Sequence, residues 1–183
     1  EKHREAQPPC RKGETMGLAK YRTAVITLSD KGAAGERKDE SGLAICERLR
    51  QNGQYEIVET LLLPDDCALL KTQLVRICDE KLADLILTTG GTGFSKRDVT
   101  PEATLAVAER NAPGIAEYLR FRSMQITPKA MLSRGVSVMR GDTLIINLPG
   151  STKAVKENLE FLLPALDHGL NIMLGRAGEC GGR

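Results

Sequence analysis

Leu85-Ile86-Leu87-Thr88-Thr89-Gly90-Gly91-Thr92-Gly93, followed by Arg97-Asp98-Val99-Thr100-Pro101-Glu102, decides the reading of this chain. An apolar run with the character of a buried strand enters a turn made largely of glycine. Glycine accepts positive φ and close backbone approach, so successive N–H groups can converge on the oxygens of an anion. Thr100 and Pro101 mark a helix start, with Thr100 as N-cap and Pro101 in the first turn. A strand, a glycine turn, an acid and a helix start in that order place a binding site at the carboxyl edge of a parallel sheet. The spacing is that of neither a P-loop nor a dinucleotide fingerprint, so the site stands on its own chemistry.

Outward from this loop, apolar runs alternate with helical periods. Ala24 to Leu28 reads as a strand, Ser41 to Asn52 as a helix with Leu43, Cys46 and Leu49 inward and Gly53 ending it. Glu56 to Leu62 is a second strand, and residues 65 to 81 a second helix with Leu70, Leu74 and Ile77 inward. Helices are expected at about residues 101 to 110 and 113 to 125, with a short further one starting at Thr127-Pro128. Val136 to Asn147 reads as two strands joined by a tight turn, so one strand of the sheet runs antiparallel. Ser151 then caps a last helix with Val155, Leu159, Leu162 and Leu166 inward, which Pro164 is expected to kink or divide. The pattern implies a three-layer α/β/α fold with a mostly parallel sheet. Three turns share its carboxyl edge: Ser29-Asp30, the loop from Thr88 to Asp98, and Pro149-Gly150-Ser151.

Composition narrows the class. The length of 183 residues with 41% hydrophobic content suits one domain. Residues 1 to 20 are polar and aperiodic and read as a leader or linker; 21 to 174 form the domain, and the glycine-rich 175 to 183 a tail. Beyond residue 22 basic and acidic side chains nearly balance, and 3% aromatic content offers few stacking platforms, which argues against nucleic acid as a partner. Cys10, Cys46, Cys67, Cys78 and Cys180 form no C-x-x-C pair, and only His3 and His168 accompany them. They are therefore read as reduced thiols of a cytoplasmic protein, Cys46, Cys67 and Cys78 on helix faces, rather than a disulfide framework or a zinc centre. No run is long enough for a membrane span, and no signal-peptide h-region is seen.

The blocks Thr88 to Gly93, Arg97 to Thr104, Ala130-Met131-Leu132-Ser133-Arg134 and Ile146-Asn147-Leu148-Pro149-Gly150 resemble the signatures of the MogA and gephyrin G-domain family, the molybdopterin adenylyltransferases. Ser29-Asp30 and Leu63-Pro64-Asp65-Asp66 match two further blocks, so the resemblance runs from about Tyr21 to about Leu174. It implies a usually trimeric enzyme that activates molybdopterin with Mg-ATP, releases pyrophosphate and passes adenylylated molybdopterin on to a molybdate-insertion protein. It also implies catalytic, Mg²⁺-handling roles for Asp65 and Asp98. Substrate binding falls to Thr89, Gly90, Gly91, Thr92 and Gly93, with Ser29, Asp30, Ser133, Arg134, Pro149 and Gly150 as further candidates. Related modules of the same fold hold a pterin without adenylylating it or serve as trimeric scaffolds, which leaves a non-catalytic alternative.

The chemistry fits those residue types. Nucleotidyl transfer asks the protein mainly to position phosphates and neutralise charge, and Mg²⁺ takes one or two carboxylates plus substrate phosphates. Each residue also has a plainer reading. Asp65 is well placed to cap the second helix, Lys96 and Arg97 to be solvated surface charge, and Ser133-Arg134 to end a helix before Gly135.

Overall fold

The computed structural model of the chain describes residues 19–176. Most of the expected leader and tail, with Cys10 and Cys180, lies outside the described residues. Six strands form one sheet: β1 (Tyr21–Leu28), β2 (Tyr55–Leu63), β3 (Leu85–Thr89), β4 (Arg110–Asn111), β5 (Ser137–Arg140) and β6 (Thr143–Leu148), in the order β2-β1-β3-β6-β5-β4. The pairs β1–β2, β1–β3 and β3–β6 are parallel, whereas β5 runs antiparallel to both β6 and β4. β5 is thus the one reversed strand that the tight turn after Arg140 demanded.

Alternation along the central strands makes the three layers. Leu85, Leu87, Leu144 and Ile146 join one core with Ile45 and Leu49 of α2 (Glu40–Asn52) and Leu159 and Leu166 of α6 (Thr152–Met173). Ile86 and Ile145 point the other way, to Leu70, Leu74 and Ile77 of α3 (Cys67–Asp79) and Ala103 of α4 (Thr100–Ala106). A strand buried on both faces has no polar side to show, which is why β3 and β6 read as nearly continuous apolar runs. The remaining helices are the single turn α1 (Asp30–Ala33) and α5 (Pro113–Met124), followed by a 3₁₀ segment, Pro128–Leu132.

Several expectations change. Leu43 is 46% exposed, and Ile45 fills the inward place beside Leu49, because the buried stripe of a 3.6-residue period passes through 45 and 49 rather than 43. The helix expected over 101 to 110 stops at Ala106 and leads into the two-residue strand β4. Thr100 is the first helical residue and not the cap; Val99 holds that position without a side-chain cap bond. α6 is undivided at Pro164. That proline is exposed, so the carbonyl that loses its partner lies on the watery side of the helix. Cys46 and Cys78 are buried as expected, Cys67 only partly, and none of the three is paired.

One buried amide ties the layers together near the carboxyl edge. Asn147 Nδ2 donates to Thr88 Oγ1 at 2.9 Å and Thr104 Oγ1 at 3.0 Å, and its Oδ1 accepts the Val136 N–H at 3.2 Å. Asn147→Leu keeps the volume and strands these partners without water. The expected loss is about 2 to 4 kcal/mol, read from denaturant midpoints, and a loss under about 1 kcal/mol would show that the network is dispensable.

Candidate active site

Register brings the expected turns to one edge. Thr27 of β1 lies beside Thr89 of β3, and Thr89 beside Leu148 of β6, so the three strands stop at one level and release Ser29, Gly90 and Pro149 side by side. Thr89, fully buried, donates its hydroxyl to the Pro149 carbonyl at 2.8 Å. A side chain on Gly150 would come within 3.2 Å of the Gly90 Cα.

The glycine loop is shaped by crowding as much as by φ. Gly90 (φ +93°) faces the Leu28 carbonyl and Gly91 (φ +63°) faces Thr100 Oγ1, in each case too close for a Cβ. The Thr100 hydroxyl donates to the Gly90 carbonyl at 2.9 Å, and its N–H to the Gly91 carbonyl at 3.1 Å. The carbonyls of the turn are thereby held inward, while the N–H groups of Gly91, Thr92 and Gly93 donate to no acceptor among the described residues. Free N–H groups in a glycine turn beside a strand end are what an anion cradle draws on.

The two acids flank this loop. A Cβ on Gly91 would lie 3.2 Å from Asp65 Oδ1, and one on Gly93 would lie 3.0 Å from Asp98 Oδ2. Asp66, not Asp65, caps α3, accepting the Leu69 N–H at 2.9 Å. Asp65 is thus free of the capping role and instead exchanges hydrogen bonds with Asp30: each carboxylate accepts the other's backbone N–H, at 3.1 and 3.0 Å. Burial raises the Asp65 pKa above the ordinary carboxylate value, and the neighbouring Asp30 and Asp98 charges push the same way. Asp30 is held below that value by Arg97, whose guanidinium grips it at 2.7 and 3.0 Å, helped by the Asp65 N–H. Asp98 Oδ2 accepts the Ser95 N–H at 2.8 Å.

The loop separates two cavities. A polar hollow of about 390 Å³ is lined by Ser29, Asp65, Gly90, Gly91, Asp98 and Gly150. Behind the loop, Thr92, Gly93, Ser133 and Pro149 face a more apolar cavity of about 310 Å³ with Leu119 and Arg120. The expected binding residues are therefore split between two walls of one partition. Thr89 and Asp30 line neither cavity; the first is spent on Pro149 and the second on Arg97. Arg134, expected as a substrate ligand, gives its guanidinium to the protein: it donates to the carbonyls of Gly93 and Asp98, both at 2.6 Å, and pairs with Glu102. Its backbone N–H also donates to the Thr92 carbonyl at 2.9 Å, so Arg134 braces both ends of the segment that carries Asp98.

Sequence reasoning missed Arg37, Lys38 and Thr152, which line the polar hollow with Ser151 of the expected edge turn. Ser151 is also the expected cap, accepting the Ala154 N–H at 3.2 Å, which sets the start of α6 beside the hollow. Asp39 likewise caps α2 through the Gly42 N–H at 2.8 Å, so two helix N-termini meet there; that of α6, capped by a neutral hydroxyl, favours negative charge, while that of α2 already faces the Asp39 carboxylate. Among the described residues no three His, Cys, Asp or Glu side chains converge as a metal centre. That fits Mg²⁺ carried by one or two carboxylates together with a ligand's phosphates, and does not fit a self-sufficient protein cage.

Residues 24–168 match a family model described as a probable molybdopterin binding domain. The molybdopterin adenylyltransferase of Escherichia coli K12 is 44% identical over 141 residues, 76% of this chain and 72% of that protein. The Helicobacter pylori J99 protein of the same name is 40% identical over 157 residues, 82% and 86% of the two chains. Among solved structures, the molybdopterin biosynthesis enzyme MoaB of Thermus thermophilus superposes with a TM-score of 0.80 at 47% identity, covering 85% of this chain and 97% of that one. With its sheet order, glycine loop and paired acids on one edge, the chain belongs to the molybdopterin-binding domain family of molybdenum cofactor biosynthesis.

Proposed function

We propose that this chain is a molybdopterin adenylyltransferase, which joins the AMP moiety of ATP to the terminal phosphate of molybdopterin and releases pyrophosphate. The observation that carries the reading is the placement of two carboxylates, Asp65 and Asp98, against a loop whose N–H groups at Gly91, Thr92 and Gly93 have no acceptor among the described residues. The nucleotide's phosphates sit in the polar hollow. The pterin approaches from the apolar cavity, so that the two phosphates meet at the loop. An oxygen of the pterin's terminal phosphate bonds to the α-phosphorus as the bond from that phosphorus to the bridging oxygen breaks. The bridging oxygen leaves with the electron pair as part of pyrophosphate. The attacking phosphate is already ionised at neutral pH, so no side chain has to take a proton.

The chain's own contribution is placement and charge. The loop N–H groups stabilise the negative charge that gathers on the α-phosphate oxygens, and the α6 N-terminus extends that field. Asp65 and Asp98 would hold Mg²⁺ together with the nucleotide, and the ion would supply further neutralisation of the phosphates. It would also relieve the mutual repulsion that, after burial, raises the Asp65 pKa. Arg134 and Thr100 act one step back by holding the loop and Asp98 in place. Three copies assemble as in the resembling family, with Phe121, Met124, Ile126 and Met131, all exposed in one copy, available to an interface. No described helix is long and apolar enough to cross a membrane, and a cytoplasmic place in cofactor synthesis, upstream of molybdate insertion, follows from the reaction.

The direct test is anaerobic incubation of the chain with molybdopterin and Mg-ATP, following pyrophosphate and the mass of the pterin. Adenylylated pterin is expected; tight pterin binding without product would make the chain a carrier. Asp98→Asn is expected to lower turnover by about a hundredfold or more and pterin affinity little, and full activity would remove Asp98 from the mechanism. Arg134→Ala should lower kcat up to about a hundredfold by letting the loop drift, with partial rescue by Arg134→Lys. Loss of pterin affinity alone would instead make Arg134 a substrate ligand.

Asp65 gives a prediction of opposite sign for stability. Its folded pKa lies above the ordinary value of 3.8, so its ionised form costs stability. That cost is absent below the unfolded pKa and grows as pH rises through the folded one. Asp65→Asn is therefore expected to abolish transfer and yet melt higher than the parent at pH 7, the difference closing as pH falls toward the unfolded value. A variant that melts lower at pH 7 would contradict the strained-carboxylate account.

A further inference from the structure

Arg37 and Lys38, on the segment between α1 and α2, line the same polar hollow as the glycine loop. Elsewhere in the described chain the arginines near the site are spent: Arg97 on Asp30, Arg134 on Glu102 and loop carbonyls. Arg37 and Lys38 have no ion pair and no side-chain hydrogen bond among the described residues, and both are exposed. They are also the only cations among the residues lining that hollow.

Their backbone is pinned although their side chains are free. Glu36 and Arg37 donate their N–H groups to the Lys31 carbonyl at 2.8 and 3.2 Å, and Gly35 donates to Gly32 at 2.9 Å. On the far side Asp39 is fixed by the Thr27 hydroxyl at 2.7 Å as well as by its capping bond. The short α1 is itself pressed onto β2, where a Cβ on Gly32 would come within 3.0 Å of Leu62 Cδ1. Two long cationic side chains thus stand on a fixed base at the hollow that Asp39, Glu40, Asp65 and Asp98 also line.

A nucleoside triphosphate carries more negative charge than the loop N–H groups and one divalent cation neutralise, and the excess lies on the β- and γ-phosphates that leave. Resting on the adenylyltransferase reading, we propose that Arg37 and Lys38 bind the β- and γ-phosphates of ATP, and hence the departing pyrophosphate. They are specificity residues for the triphosphate, where Asp65, Asp98 and the glycine loop serve the α-phosphate. The adenosine moiety and the pterin gain nothing from them. Their free, exposed state in the absence of ligand follows from that role, since a standing ion pair would have to be broken at every turnover.

The test is calorimetric titration of ATP, AMP and inorganic pyrophosphate, each with Mg²⁺, into the parent, Arg37→Ala/Lys38→Ala, and Arg50→Ala as an exposed control at the other end of α2. In the double variant ATP and pyrophosphate affinities are expected to fall about tenfold or more, equivalent to about 1.4 kcal/mol, with AMP affinity unchanged. The parent's advantage for ATP over AMP should also shrink with added salt. Equal ATP affinity in parent and double variant, or a parallel fall for ATP and AMP, would overturn the assignment. A parent that binds pterin but neither ATP nor pyrophosphate would overturn the adenylyltransferase reading itself, and this inference with it.

Discussion

Three parallel strands that end at the same level leave no room for a side chain in the turn after the middle one. With the Leu28 carbonyl on one side and the Thr100 hydroxyl on the other, residues 90 and 91 must be glycines with positive φ. The rest of the site follows from that crowding. Thr100 takes up the Gly90 carbonyl, the N–H groups of Gly91, Thr92 and Gly93 are left without an acceptor among the described residues, and α4 begins where its first turn can hold the loop down. Pro149-Gly150 fits beside it only because Gly150 also lacks a side chain. The conformation that packing requires is also one that leaves these donors free.

Charge is distributed around this turn in a way that stability alone would not select. Asp65 sits in a partly desolvated place beside two other carboxylates, and its pKa is raised in consequence. Asp30, its immediate neighbour, is paired with Arg97, whereas Asp65 forms no ion pair among the described residues and its burial outweighs the pull of Arg97. The same hollow is lined by two cations, Arg37 and Lys38, that form no ion pair among the described residues. Separate unpaired charges of both signs in one hollow are costly unless a ligand carries both signs, as a phosphate chain with a divalent cation does.

Much of this was legible in the sequence because each signal was local. The alternation of apolar runs and helical periods named the strands, and the Arg140-Gly141 turn announced the reversed β5. Glycine, proline and acid at fixed offsets marked the loop and its following helix. What was not legible depended on contacts distant in sequence. Nothing in Arg134 distinguishes a substrate ligand from a brace until Gly93 and Asp98 are found 2.6 Å from its guanidinium. Asp65 and Asp66 are adjacent acids after a proline, and only the turn geometry decides which of them caps α3. The two exposed residues of β4 carry no pattern at all, and Leu43 misled because an apolar residue three positions from Cys46 satisfies a helical period while lying off the buried stripe.

A protein that contributes only position and charge transfers AMP directly from ATP to the pterin phosphate, with no adenylylated side chain between. The polar hollow does contain hydroxyls, at Ser29, Ser41, Ser151 and Thr152, so a covalent route has candidate nucleophiles and the two routes are distinguishable by stereochemistry. Transfer from a single diastereomer of ATP bearing sulfur on the α-phosphate should give product with inverted configuration at that phosphorus, as one in-line displacement requires. Retained configuration would mean two displacements through an enzyme-bound nucleotide and would contradict the direct mechanism.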